Sequence, residues 1–222
     1  METLETLPWI FASARAMIGK VPYHIGPTSI PCRDNPYGAA VAPNPDNRRV
    51  CLSDIDPRQR GLFAAAWSLG YLSAAARAGV NAVAFGSATG PQGMIYRKLP
   101  HAQPWFDGRE ARLVPIYHVI ASLAAASGAK CIDTDSSASS KLVALAHRDR
   151  ARNVLWLANL SGETKRLKVQ GFDGPARLDV LDEKSFEAAV HDPGWLDSDS
   201  TLIRRVGSLE LPSYGIVRIK SA

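Results

Sequence analysis

The feature that most constrains this chain is the alternation in its first 127 residues, which run helix, strand, long loop, helix, strand, long loop, helix. Two βα units behind a leading helix are the pattern of a parallel-sheet α/β fold. Parallel strands need cover on both faces and further strands beside them. A barrel of this type takes about 250 residues. The stretch therefore reads as the last quarter of a (β/α)8 TIM-like barrel. From about residue 130 the period shortens, and a small antiparallel β-sandwich is expected to follow.

The elements are legible one by one. Residues 3–18 place Leu4, Leu7, Ile10, Phe11, Ala14 and Ile18 at helical spacing, with Thr3 as the expected N-cap and Gly19 as the stop. A helix that begins so early leaves no room for a preceding strand, so Met1 is expected to be an inner methionine of a longer chain. Val21–Ile25 reads as a strand feeding a polar loop to Asp54. Asp56 is the expected cap of the next helix, with Pro57 in its first turn and Gly79 at its end. Val80–Phe85 is a continuous apolar strand of the kind buried on both faces. A second long loop, 86–112, precedes a helix over Leu113–Ser127. Beyond it, seven short strands are expected: Leu142–His147, Asn153–Leu160, Arg166–Val169, Ala176–Leu181, Phe186–Val190, Ser208–Leu211 and Tyr214–Lys220. The domains are accordingly set at 1–129 for the partial barrel and 130–222 for the sandwich.

Composition removes several function classes. The chain of 222 residues is 46% hydrophobic and 21% charged, ordinary values for a globular protein. Its net charge of +5 comes from scattered lysines and arginines, without the clustered basic face of a nucleic-acid binder. No segment approaches the ~20 apolar residues that span a bilayer, and the acidic N-terminus is not a signal peptide. Cys32, Cys51 and Cys131 have no metal-type spacing. An odd count of this kind fits a reducing cytoplasm, where the protein is expected to reside.

Three stretches carry a resemblance. The first is Tyr23-His-Ile-Gly-Pro-Thr-Ser-Ile-Pro-Cys-Arg-Asp-Asn-Pro-Tyr-Gly38. The second is Asp56-Pro-Arg-Gln-Arg-Gly-Leu-Phe-Ala-Ala-Ala-Trp-Ser-Leu-Gly-Tyr71. The third is the tail Leu142-Val-Ala-Leu-Ala-His-Arg-Asp149 with Trp156-Leu-Ala-Asn159 and Leu211-Pro-Ser-Tyr214. With them the chain resembles the C-terminal half of the D-apionate lactonase family, whose members join a glycosidase-like barrel to a C-terminal β domain. The resemblance implies hydrolysis of a five-membered sugar lactone, D-apionolactone, to an open sugar acid, D-apionate. In related glycosidase barrels the nucleophile is a glutamate after the penultimate strand. Here no glutamate lies between Glu5 and Glu110, so glycosidase chemistry is not expected.

Lactone hydrolysis needs a polarised carbonyl, a held oxyanion and an activated water. Barrel chemistry sits at the carboxyl ends of strands, which points to the loops 26–55 and 86–110. His24 with Asp34 is the candidate base and its orienting partner, and Arg33 the candidate holder of the oxyanion or product carboxylate. Asn35, Tyr37 and Trp105 are candidate sugar-binding residues. Against this stands the plainer reading that Arg33 and Asp34 only pair within the loop and that His24 is a core histidine. Asp46, Asp54 and Asp56 read as caps and turns rather than as a calcium site, and Thr89-Gly-Pro-Gln-Gly93 as a turn rather than a phosphate cradle. His118, His147 and Trp156 read as packing residues.

The sequence therefore predicts a fragment of a sugar-lactone hydrolase, inactive alone, acting on a small sugar lactone or sugar acid. It calls for no cofactor, metal, nucleic acid or membrane. A homo-oligomer or partner chain is expected to cover the incomplete barrel. The competing expectation is a carbohydrate-binding or interaction module, which an exposed aromatic row on the sandwich would mark.

Overall fold

A computed structural model describes residues 1–198 and 200–222. The barrel portion opens with α1 (Thr3–Ile18), β1 (His24–Thr28), a 3₁₀ turn (Pro57–Arg60), α2 (Leu62–Arg77) and β2 (Ala82–Phe85). The short strands β3 (Ser87–Thr89) and β4 (Gly93–Ile95) and the helix α3 (Ile116–Ala125) complete it. The C-terminal portion has β5 (Lys130–Ile132), β6 (Leu142–Asp149), β7 (Arg152–Asn159), β8 (Lys165–Lys168) and β9 (Ala176–Leu181). It continues with α4 (Phe186–His191), α5 (Trp195–Ser198), β10 (Thr201–Ile203), β11 (Ser208–Leu211) and β12 (Ile216–Ser221).

β1 and β2 pair in parallel, His24 opposite Ala82 and Thr28 opposite Phe85. Their carboxyl ends therefore point the same way, and the loops that follow emerge from one face. α1 and α2 cover the pair. Gly70 of α2 lets α1 approach closely, since a Cβ there would lie 2.5 Å from Leu4 Cδ1. Phe11, Tyr71 and Phe85 meet edge-on, with ring centroids 5.7 Å apart in both pairs.

Six strands of the C-terminal portion form one antiparallel sheet in the order β10-β9-β12-β7-β6-β5, and β8 and β11 form a second. Alternation along β7 assigns its two faces. Val154, Trp156 and Ala158 pack against Leu69 of α2 and Val119 of α3. Leu155 and Leu157 pack toward Leu211 and Val206 beneath the second sheet. The helix-facing side also buries Arg218, which lies 5.8 Å from the Trp156 ring. Its Nε donates to Asp179 Oδ2 at 2.8 Å and its Nη1 to Ser122 Oγ of α3 at 3.2 Å.

Several expectations change. Phe186–Val190 is helical rather than a strand, because a short apolar run is ambiguous and Glu187-Ala188-Ala189 favours a helix. Thr3 lies inside α1 and makes no cap; its Oγ1 instead accepts from Trp67 Nε1 at 3.1 Å. Asp56 does cap, but it caps the 3₁₀ turn, and extended Gly61 separates that turn from α2. β1 begins three residues later than the apolar pattern suggests, and Val21 is exposed. α3 is shorter than the expected Leu113–Ser127.

Candidate active site

The loops after β1 and β2 are tied together by a buried polar cluster that follows Asp56. The Asp56 carboxylate is 2% exposed. It accepts from Arg58 N at 2.9 Å and from Arg58 Nε at 3.0 and 3.1 Å. This ion pair holds the Arg58 guanidinium above its usual pKa. The next residue, Gln59, is equally buried and spans the two loops. Its Oε1 accepts from Ile30 N at 3.3 Å, and its Nε2 donates to Gln92 O at 3.4 Å. Gly86 makes this meeting possible: at φ +49 it turns the chain where β2 ends, and a Cβ there would lie 2.1 Å from Gln92 O.

Arg60 extends the tie. Its Nε donates to Gln103 Oε1 at 3.2 Å and its Nη2 to Asn47 Oδ1 at 2.7 Å. Gln103 N in turn donates to Asp107 Oδ2 at 2.6 Å, and Tyr96 OH to Asp107 Oδ1 at 2.9 Å. These two donors lower the Asp107 pKa, and burial raises that of the Tyr96 phenol. Elsewhere in the first loop, buried Asn44 donates to the carbonyls of Arg48 and Ile55, so the loop follows a fixed path.

The residues singled out from sequence fall in different places. Arg33, Asp34 and Asn35 follow β1 on the loop face. Arg33 Nη2 reaches Gln92 Oε1 at 3.5 Å. Asp34 is exposed, and its carboxylate accepts no hydrogen bond among the described residues. Asn35 is largely spent on the loop itself, donating to Ala40 O and accepting from Tyr37 N, each at 2.9 Å. Tyr37 is 89% exposed. Trp105 lies in the second loop, 57% exposed, with one edge toward Phe186.

His24 is the exception. It opens β1 rather than closing it, four residues before Thr28, and at ~3.3 Å per residue that is roughly 13 Å from the carboxyl end. No hydrogen bond joins His24 to Asp34 among the described residues, and the expected base–orienter pair is not formed. His24 is exposed, so it is not a core histidine either. Sequence reasoning passed over Gln59, Arg60, Gln92 and Gln103. The available signal was the polar trio Arg58-Gln59-Arg60 between a cap and an apolar helix, where an amphipathic helix would have needed no such cluster.

No group of three or more His, Cys, Asp or Glu side chains is placed to hold a metal among the described residues. Cys32, Cys51 and Cys131 are free thiols. No helix of the described residues is long and apolar enough to cross a membrane.

Parallel βα units with polar loops at their carboxyl ends, followed by an antiparallel β domain, define part of a TIM barrel with a C-terminal β-sandwich. The D-apionate lactonase TIM barrel domain matches residues 1–128, and the family's C-terminal immunoglobulin-like domain matches residues 139–219. The chain belongs to the D-apionate lactonase family. It is 31% identical over 172 residues to the D-apionate lactonase of Brucella anthropi, a match covering 78% of this chain and 27% of that protein. The chain thus matches about a quarter of the length of that curated relative. Two solved structures share the fold. A conserved exported protein from Bacteroides fragilis matches at TM-score 0.58 and 13% identity, over 98% of this chain and 42% of its own. The GH51 alpha-L-arabinofuranosidase of Thermotoga petrophila matches at 0.56 and 13%, over 100% of this chain and 47% of its own.

Proposed function

We propose that this chain supplies the closing βα units and the C-terminal domain of a sugar-lactone hydrolase that opens D-apionolactone to D-apionate. The observation that carries the reading is the joining of the two strand-end loops by Gln59 and Arg60, which builds one polar face where barrels place their chemistry. On that face Asp34, whose carboxylate accepts no hydrogen bond among the described residues, would take a proton from the attacking water. Arg33 would hold the charge that develops on the lactone carbonyl oxygen. Tyr37 and Trp105 offer exposed rings to the sugar, and Asn35 positions the loop. His24 is assigned no step, given its place at the far end of β1.

Alone, the chain is expected to be inactive, because the rest of the barrel face would hold the other side of the substrate. Further parallel strands, from a partner chain or from a longer form of this protein, would pair with the open edges of β1 and β2. The carbohydrate-binding alternative gains no support. Among the described residues of the C-terminal portion, Trp156 and Trp195 are buried and Phe172, Phe186 and Tyr214 half-buried, so no exposed aromatic row is present.

The test is a chimera in which this chain replaces the matching segment of the Brucella anthropi protein, with lactone opening followed by proton release. Hydrolysis of D-apionolactone by the chimera, lowered at least ~10-fold by Asp34→Ala, is the expected result. A folded chimera without turnover, or one indifferent to Asp34→Ala and Arg33→Ala, would sink the reading.

A further inference from the structure

The helix-facing side of the large sheet is not filled along its whole length. α3 turns His118, Ala121, Ser122 and Ala125 toward it, three and four residues apart on one stripe. Small side chains on that stripe leave a hollow between helix and sheet. It is a cavity of about 300 Å³, a size at the lower end of small-molecule pockets. Opposite α3 its wall is made near the ends of three strands, by His147 and Asp149 of β6, Val154 of β7, and Arg218 and Lys220 of β12. Asp197 of α5 stands beside Lys220. None of these residues belongs to the loops that follow β1 and β2.

The wall holds unused hydrogen-bonding capacity of both kinds. His147 is 7% exposed, and its Nδ1 has no partner among the described residues. A buried polar atom left in that state is costly. Ser122 Oγ accepts from Arg218 Nη1 at 3.2 Å, and its own proton goes to no group among the described residues. Lys220 Nζ donates to Asp197 Oδ1 at 2.6 Å, which leaves two of its three protons. Asp149 is exposed at the rim, and its carboxylate accepts no hydrogen bond among the described residues. Facing these groups are the methyl-bearing side chains of Ala121, Ala125 and Val154.

The charges decide what kind of molecule suits this wall. Arg218 is already matched by Asp179 at 2.8 Å, and Lys220 by Asp197. No unmatched cation remains to hold an anion. Asp149 stands opposite Arg152 in the β6–β7 register, so a cation gains little there. A hydroxyl both donates and accepts, and so serves the Ser122 proton, the Lys220 protons and the Asp149 carboxylate alike. We infer that this cavity is a binding site for a small uncharged polyol, a sugar or sugar alcohol of roughly five or six carbons, its hydroxyls toward the strand ends and its C–H face toward the alanines of α3. A polysaccharide chain would instead need an exposed row of aromatic rings. Bound there, the polyol links α3 to the sheet.

The experiment is a titration of the full chain at constant pH, followed by the ring NMR signals of His118 and His147. The ligands are ribitol, sodium gluconate and N-methylglucamine, which are neutral, anionic and cationic polyols. Ribitol is expected to move both signals saturably, with a Kd of about 1 mM or tighter, and the charged polyols to bind no more tightly. Ala125→Phe fills the hollow from an exposed position of α3 and is expected to weaken ribitol binding at least ~10-fold. Ala124→Phe, also exposed but outside the cavity wall, leaves it unchanged. Should Ala125→Phe fail to fold, Asp149→Ala at the exposed rim takes its place, with an expected loss of at least ~3-fold. The inference is overturned if ribitol moves neither signal saturably, if its effect survives the folded wall variant, or if either charged polyol binds more tightly than ribitol. Lactone opening by the chimera depends on other residues, so either result stands or falls without the other.

Discussion

β2 and β7 are both apolar strands flanked by α2, and they have opposite fates. Among the described residues β2 pairs only with β1, and its Ala82 and Ala84 are exposed. β7 lies between β6 and β12, and its residues from Val154 to Asn159 are buried. Both sequences ask for burial on two faces, but only β7 receives it within this chain. An apolar run states what environment a strand requires, and neighbouring elements decide whether it is met. The contrast extends to polar groups. In the sheet, Arg218 meets a buried carboxylate, Asp179. In the barrel loops, the hydrogen bonds that the Arg60 side chain donates among the described residues go to amide oxygens.

The largest way to break this comparison is hydrogen exchange. Amides of β1 and β2 are expected to open at a small fraction of the global stability, and those of β7 and β12 to approach it, on the order of 5–15 kcal/mol. Equal protection of the two pairs would show that β1–β2 is as well supported as the sheet. The next largest effect is Trp156→Ala, which empties the contact between the sheet and α2 and α3. It is expected to cost about 3–5 kcal/mol by urea unfolding. A loss below about 1 kcal/mol would mean that this face is not the centre of the core.

The smallest effect concerns His118 and His147. Burial lowers both pKa values, and His118 Nε2 donates to Ala189 O at 2.7 Å. A folded pKa below the unfolded value means that the unfolded chain binds the extra proton first. The stability from the neutral imidazoles is therefore present in full above the unfolded value of about 6.5 and lost as the pH falls toward the depressed folded values. Tm measured from about pH 8 to about pH 5 should fall, and His118→Gln should flatten part of that fall. An unchanged slope in the variant would remove His118 from the account.

Much of the architecture was legible because it is local. The 3.6-residue period of α1 and α2 and the alternation along β6, β7, β9 and β12 each follow from a few adjacent residues. The motifs through Arg33-Asp34-Asn35 and Asp56–Tyr71 also carried the family. The candidate site was legible only in part. The loops were placed correctly at the strand ends, yet His24 was set at the wrong end of β1. Its pairing with Ala82 is a register, and register is fixed by the partner strand rather than by apolar content.

By itself, then, the sequence determined the kind of element at most positions, the change from βα units to antiparallel strands, and the lactonase lineage. The tertiary structure decided that Phe186–His191 is a helix, that Asp56 serves a 3₁₀ turn, and that Gln59 and Arg60 join loops 33 and 43 residues away in the chain. The first group depends on backbone propensity and side-chain period, which neighbours in sequence specify. The second depends on which surfaces meet, and on whether a buried charge finds a partner there, and neither is written in any short stretch of chain.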